Sequence, residues 1–516
     1  MRRIARRSLA AHRLTRLACL IAGLATLPAL APAFAQQEPQ RGGTLRIAQG
    51  SLRTADPHRH TGDSPVQQVY AEALTSISHD GSVKPMLAER VEVSPDGLAY
   101  TFHLRRGVRF HNGREMTSAD VVANVERVRD RVQGGWLTTA MRGLRAVEAP
   151  DPHTVRFVLA EPFAPFTNLL SELWILAPET EGWATTINRP IGTGPFRFAE
   201  YRPNIRFVGE ANRDYWQAGL PRLDAVEFDI RQVADRSLAL RAGDIHVARI
   251  PDDAVETVRR DPNLRVTFYG DTEWCAVSFN NRSPRGPFAD LRVRRAIAHA
   301  FDKEAFMQTV GNYVVGNQMA APGSYHWDEA MERADPYRQP DLARTRALLA
   351  EAGVVPARTP LRIVSWQNDY SLFTAQTMRG LGFNVEHIAL DDIGMQTRLT
   401  RYDWDLTPVC SGPRADIYLR FVRLMSEGPR PQMWGGIQDA RLDQLISQAV
   451  TTVDDAARRR RYLEAWQHVM DSHQVLVLGH RRSPIGVRAE VRDFQPGFTV
   501  SPHRVDGGVA YTWLAR

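Results

Sequence analysis

"SPDGLAYTFHLRRGVRFHNGREMTSADV", Ser94 to Val121, has no catalytic triad, metal-ligand spacing or phosphate loop, yet it is punctuated by Pro95-Asp96-Gly97, Arg106-Gly107 and Asn112-Gly113. Proline presets φ and glycine tolerates positive φ, so Pro95-Asp96-Gly97 is a turn. Leu98, Tyr100, Phe102 and Leu104 then alternate with Ala99, Thr101 and His103, the period of a strand with one apolar face. Burying each of those apolar side chains is worth about 1.5–3 kcal/mol. Val108 and Phe110 predict a second short strand that ends at Asn112-Gly113. Thr117 reads as a helix N-cap, with Asp120 near the capping-box position. Val121, Val125 and Val128 fall on one helical face. By its residues alone, the stretch is a strand–strand–helix structural module.

The N-terminus carries the signal for compartment. Arg2, Arg3, Arg6, Arg7, Arg13 and Arg16 precede an apolar run, Leu17 to Leu30, and Ala33-Phe34-Ala35 follows it. This is the pattern of a cleaved signal peptide over residues 1–35 and predicts a periplasmic protein. Arg6-Arg7 leaves a twin-arginine route open beside ordinary secretion. Cys19 stands at the start of the apolar run, the wrong end for a lipoprotein cysteine. The whole chain has 516 residues, 65 basic and 58 acidic, for a net charge of +7. The leader holds six arginines and no acid, which leaves the mature chain at +1. No polybasic segment remains to favour nucleic acid. Arg292, Arg294 and Arg295 read as the wet face of a helix whose Val293, Ile297 and Phe301 point inward. Only Cys275 and Cys410 survive cleavage, and whether they pair is open at this point. About 480 mature residues suffice for two or three domains.

Strand and helix signals mix along the chain, which predicts an α/β architecture. Gly42–Gln49, Leu223–Arg231, Ile245–Ile250, Cys275–Phe279, Leu361–Trp366 and Phe383–Ile388 read as strands. Arg236–Gly243, Asp290–Phe301, Leu342–Ala352, Asp439–Val450 and Asp455–Met470 read as helices. "QVLVLGH", from Gln474, is a buried-strand run, and Trp513 predicts a docked tail.

Enzyme signatures are missing: there is no G-x-S-x-G, H-E-x-x-H or G-x-x-x-x-G-K. "IGTGPF", Ile191 to Phe196, reads as a tight turn before a strand. His58 and His60, between Asp56 and Asp63, have metal-binding chemistry but lack a specific third ligand. Asp391-Asp392 and Asp252-Asp253 read as solvated or helix-start acids. Trp274, Trp366, Trp404 and Trp434 are candidate walls of a small-molecule cleft, each also suited to a core. Asp416 either caps the helix after it or meets a ligand ammonium through a charge-assisted bond.

The opening stretch resembles a recurrent pattern, D-G-x-x-Y-T-F-x-L-R-x-G-V-x-F, of the extracellular solute-binding proteins of ATP-driven (ABC) importers, family 5, the peptide- and nickel-binding type. "IGTGPF", the Asn212/Tyr215/Trp216 group, "FNNRSPRGPFADLRVRRAIAHAFDK" at Phe279–Lys303, "LLAEAG" and "DWDL" at 403–406 match further motifs in order. The resemblance spans nearly the whole mature chain and implies a two-lobed periplasmic binding protein of type II, in its large form. Lobe I would cover 36–270, with an inserted subdomain at about 58–190, lobe II 271–480, and 481–516 would return to lobe I. It implies a monomer that captures a peptide-like or other small polar solute, needs no cofactor, and delivers the solute to an ABC permease and its ATPase. A metal or metal-chelate carrier and an exported enzyme on the same scaffold are the alternatives. Asp-rich segments common in peptide binders of the family are replaced here by Ser411 to Ile417, where Asp416 is the only acid. "QNDYSL", Gln367 to Leu372, lacks the cation that a dipeptide C-terminus would require there, and Arg414 becomes the candidate anion contact.

Overall fold

The structure is a computed structural model that describes residues 38–48, 52, 54–59, 65–130, 132, 137, 141–231, 233, 235–268, 273–282, 286–310, 312–366, 369–412, 416–428, 431–497 and 503–515. In the opening stretch, Ala99–Leu104 pairs antiparallel with Ala88–Val93 and with Thr154–Leu159. Leu144–Asp151 completes a four-stranded sheet. Tyr100, Phe102 and Leu104 enter one apolar core together with Phe157 and Phe166. The helix Ser118–Asp130 lays Val121, Val125 and Val128 into that core. Asp120 supplies half of a capping box, accepting from the Thr117 amide at 2.8 Å. The expected second strand is only a single bridge between Arg109 and Glu115. The Phe110 amide donates to the Arg114 carbonyl at 2.8 Å, so the turn closes before a ladder can form, while Val108 and Phe110 still fill the core.

Two larger mixed sheets carry the rest. The first has seven strands in the order Phe196–Arg202, Arg206–Ala211, Ala225–Asp229, Thr44–Ala48, Val247–Arg249, Pro484–Arg488, Leu264–Phe268. The second has six, in the order Tyr313–Val315, Val475–Arg481, Glu273–Phe279, Leu406–Ser411, Pro360–Trp366, Asn384–Leu390. Thr44–Ala48 is flanked by parallel partners, and Pro360–Trp366 likewise. Strands buried on both faces read as apolar runs, which is why "CAVSF" and "VLVL" lack alternation. The chain passes between the two sheets twice, from Phe268 to Glu273 and from Arg481 to Pro484. Polar bonds bind these passages: Asn312 Nδ2 donates to Asp252 Oδ1 at 2.8 Å, and the Arg482 guanidinium stands 4.6 Å from the Phe268 ring centre. Asp252 is thus a bonded partner at the passage.

Cys275 and Cys410 face each other in register on adjacent strands and form a disulfide, which answers the question left open by their spacing. Asp290 caps the helix Leu291–Ala300, and Asp391 caps Asp392–Thr400, both as helix-start acids. Arg294 corrects the wet-face expectation. It is 8% exposed, and its guanidinium donates to the carbonyls of Phe288, Ala289 and Ser472 at 2.7–3.0 Å. Three backbone acceptors compensate for the burial of a long cationic side chain, an outcome that a helical-wheel count cannot register. The tail is docked: Trp513–Leu514 pairs with Val491–Arg492, and Trp513 Nε1 donates to Asp493 at 3.0 Å.

Candidate ligand-binding site

The motifs quoted above converge on buried polar hubs. Glu72, 1% exposed, accepts from Tyr215 Oη at 2.6 Å, Trp216 Nε1 at 3.0 Å and Thr193 Oγ1 at 2.9 Å. The "IGTGPF" turn and the Asn212/Tyr215/Trp216 group are therefore two sides of one hydrogen-bonded clamp on a carboxylate. Glycine is required in that turn because a Cβ on Gly192 would lie 1.9 Å from the Tyr70 carbonyl oxygen. At a second hub Arg127, 1% exposed, donates to both oxygens of Asp56 at 3.0 and 2.6 Å and to His58 Nδ1 at 2.6 Å. His58 Nε2 donates to the Trp174 carbonyl at 2.8 Å. Both ring nitrogens of His58 are thus engaged, which takes it out of the metal-carrier alternative. His60 lies outside the described residues. Among the described residues no group of three or more His, Cys, Asp or Glu could hold a metal ion.

Asp416 lines a cavity of about 250 Å³. One wall comes from the four-stranded sheet and its surroundings, including Ser82, Val93, Tyr100, Ala164 and Asn168. The other comes from chain that follows the second sheet's first strands: Tyr325, His326, Val453, Asp455 and Arg458. The walls touch around the cavity. The Ala164 amide donates to the Val450 carbonyl at 2.8 Å, and the Tyr325 amide to the Asp80 carbonyl at 3.0 Å. Phe163 meets Tyr418 edge-on at 5.4 Å, and a Cβ on Gly97 would lie 2.9 Å from Val453. The two walls are therefore in direct contact beside the cavity.

The cavity's electrostatics are unbalanced. Asp416 is 5% exposed and accepts from the Tyr418 amide at 2.6 Å, a local bond just ahead of the helix Tyr418–Phe421, whose N-cap position is Ile417. Among the described residues no cationic side chain is ion-paired with it. Arg458 hydrogen-bonds to Asp455, and Tyr325 Oη donates to that same carboxylate. Burial raises the Asp416 carboxyl above its ordinary range, against the pull of the Tyr418 amide and of Arg458. His326 Nδ1 and Tyr462 Oη are buried with no hydrogen-bond partner among the described residues. Burial pushes His326 down to about 3, so it is a neutral donor or acceptor at neutral pH. A buried carboxyl with no ion-paired cation among the described residues, beside an Arg458 that is bonded to Asp455, is suited to receive a cation.

The tryptophans are distributed differently. Trp274 and Trp434 stack at 4.8 Å with 17° between planes, both buried in a cluster with Phe421 and Trp466. Trp404 is buried with Val364, Met395 and Leu399, and the half-buried Trp366 packs against both clusters. None of the four lines the Asp416 cavity. Arg414 lies outside the described residues. Sequence reasoning missed Tyr325, His326, Asp455 and Arg458. The aperiodic polar–aromatic loop "GSYHWDE" from Gly323 was the available signal for the first two, whereas the last two looked like an ordinary helix start.

Residues 82–412 match the family of bacterial extracellular solute-binding proteins, family 5 (middle). The chain belongs to this family. It is 27% identical to "Di/tripeptide-binding protein 1" of Pseudomonas aeruginosa, over 92% of this chain and 94% of that one. It is 33% identical to "Di/tripeptide-binding protein 2" of the same organism, over 68% and 70%. Among solved structures, the periplasmic binding protein DppA of Helicobacter pylori in complex with peptide STSA aligns with a TM-score of 0.72 at 23% identity, over 92% of this chain and 99% of that one. As a family 5 member the chain is a two-lobed periplasmic binding protein. No helix among the described residues is long and apolar enough to cross a membrane.

Proposed function

We propose that this family 5 protein is the exported substrate-binding component of an ABC importer and that it captures a short peptide or peptide-like solute carrying a free ammonium. Residues 1–35 act as a cleaved signal peptide and the mature monomer works in the periplasm. The boundaries at 270 and 480 expected from sequence are proposed to separate a lobe built on the seven-stranded sheet from one built on the six-stranded sheet. The single observation that carries the reading is Asp416: a buried carboxyl, lacking a cationic partner among the described residues, between two walls that touch. A ligand ammonium supplies the missing charge and stabilises closure only to the extent that it binds the closed form better. The ligand is released unchanged, so the protein is a carrier and not an enzyme. Two relatives named as di/tripeptide-binding proteins support the ligand class. Arg414, two residues before Asp416, is the proposed contact for the ligand's anionic end.

Calorimetric titration tests this with trialanine and N-acetyl-trialanine on the wild type and on Asp416→Asn. A charge-assisted bond is worth roughly 1.5–3 kcal/mol, so acetylation and the substitution should each weaken binding by about ten- to hundredfold. Equal affinity for the free and acetylated peptides would remove Asp416 from the role.

A further inference from the structure

A second cavity, of about 210 Å³, is lined by the start of the second sheet's strand Val475–Arg481 and by Trp466 and Met470 of the helix before it. No residue lines both. Its apolar surface comes from Tyr337, Trp466, Met470 and the start of that strand. Two of its polar lining groups are unsatisfied. Asn317, 6% exposed, spends its Nδ2 on the Met331 carbonyl at 3.1 Å and leaves Oδ1 with no partner among the described residues. His473, 7% exposed, has Nδ1 outside hydrogen-bond geometry of any described residue, with the Met470 carbonyl as its polar neighbour. His473 is the left-handed residue that ends the helix Asp455–Ser472, with φ 49°. The Tyr337 ring stands edge-on to it at 4.6 Å.

Formal charge in the wall cancels. Lys303 and Asp335 form a fully buried pair at 2.8 Å. Arg295 and Asp471 supply the remaining cation and anion, tied through the Arg295 bond to the Asp471 carbonyl at 3.1 Å. Burial and the neighbouring Arg295, Arg294 and Lys303, against the pull of the Met470 carbonyl, hold the His473 imidazole down at about 4, neutral in the working range. The buried charges of the wall are paired with each other, so a guest need not carry a charge to enter. An unpaired amide oxygen requires a guest that donates a hydrogen bond, and a hydroxyl suits the imidazole in either tautomer. An apolar cavity of about 150 Å³ already accepts a benzene ring, so this one accommodates a ring with a small substituent.

We infer that this cavity is a second binding site, independent of the interlobe site, for a small neutral aromatic alcohol. The ring lies against Tyr337 and Trp466, and the hydroxyl bonds to Asn317 Oδ1 or His473 Nδ1.

The test uses phenol as the probe on the full mature protein, read by Trp fluorescence and by saturation-transfer NMR. Phenol should bind saturably in the roughly millimolar range. Benzoate, which has no hydroxyl to donate at neutral pH, should bind about tenfold more weakly. Asn317→Ala and His473→Asn, the latter chosen because asparagine tolerates positive φ, should each weaken phenol by about five- to tenfold. Both variants should bind trialanine as the wild type does, which also shows that they are folded, and Asp416→Asn should bind phenol normally. Absence of saturable phenol binding, unchanged phenol affinity in either variant, or displacement of phenol by trialanine would overturn the assignment. Failure of trialanine to bind at all would count against the proposed function and leave the phenol readout intact.

Discussion

Asp416 is the proposed contact for a ligand ammonium. Its Oδ1 accepts from the Tyr418 amide, yet burial still raises its carboxyl above the ordinary range. The sign of the stability effect follows. The native state binds the proton more tightly than the unfolded chain, whose carboxyl titrates near 3.8. Stability from this group is therefore greatest at low pH and is lost as pH rises from about the unfolded value through the native one. Asp416→Asn should thus raise the melting temperature of ligand-free protein at pH 7 while weakening an ammonium ligand. A melting temperature that falls by several degrees in Asp416→Asn would show that the carboxylate is already compensated. The residue was legible in sequence as the single acid of its segment. Its partners were not, because Tyr325, His326 and Arg458 lie far from it along the chain and meet it only through tertiary packing.

Elements are where the sequence was most legible. Alternation at Tyr100, Phe102 and Leu104 and the valine stripe of Ser118–Asp130 report burial directly, because each period belongs to one backbone geometry. The bridge at Arg109 and the buried Arg294 were not legible, since both are decided by partners distant in sequence or by the closure of a turn. The Asp56–Arg127 hub belongs to the same class and joins the loop before Pro57–Arg59 to the helix Ser118–Asp130. Arg127→Met removes the cation and leaves Asp56 buried, which should cost about 3–5 kcal/mol in a urea titration. A loss below about 1 kcal/mol would mean that the pair is dispensable. The disulfide joins strands 135 residues apart in sequence. In the chain-entropy picture its reduction should cost up to about 5 kcal/mol. Mature protein unfolded without reductant should take up no alkylating agent, and two equivalents after reduction; labelling before reduction would show the thiols free.

For the whole molecule, five histidines with buried or half-buried side chains set the acid limit. His111, His246 and His473 are pushed down to about 4, and His326 and His480 to about 3, each first by burial. Their ordinary value is 6.5, so the unfolded chain takes up protons that the native state refuses. Stability is complete above about pH 6.5 and falls as pH drops toward 4, with native-state protonation only near 3–4. A melting temperature flat between pH 7 and 4.5 would show these rings to be solvated. The same scale explains why the fold was legible and the site less so. Five ordered motifs identify a scaffold, and several of them are now seen to clamp Glu72 or to bury a core, whereas the cavity is assembled between parts of the chain that no local pattern links.

Native mass spectrometry of gently purified protein tests capture most directly. The wild type should retain a peptide-sized, primary-amine-bearing adduct in one-to-one ratio, and Asp416→Asn, purified in parallel, should be largely empty. An adduct lacking an amine, or equal occupancy in the two proteins, would contradict the account.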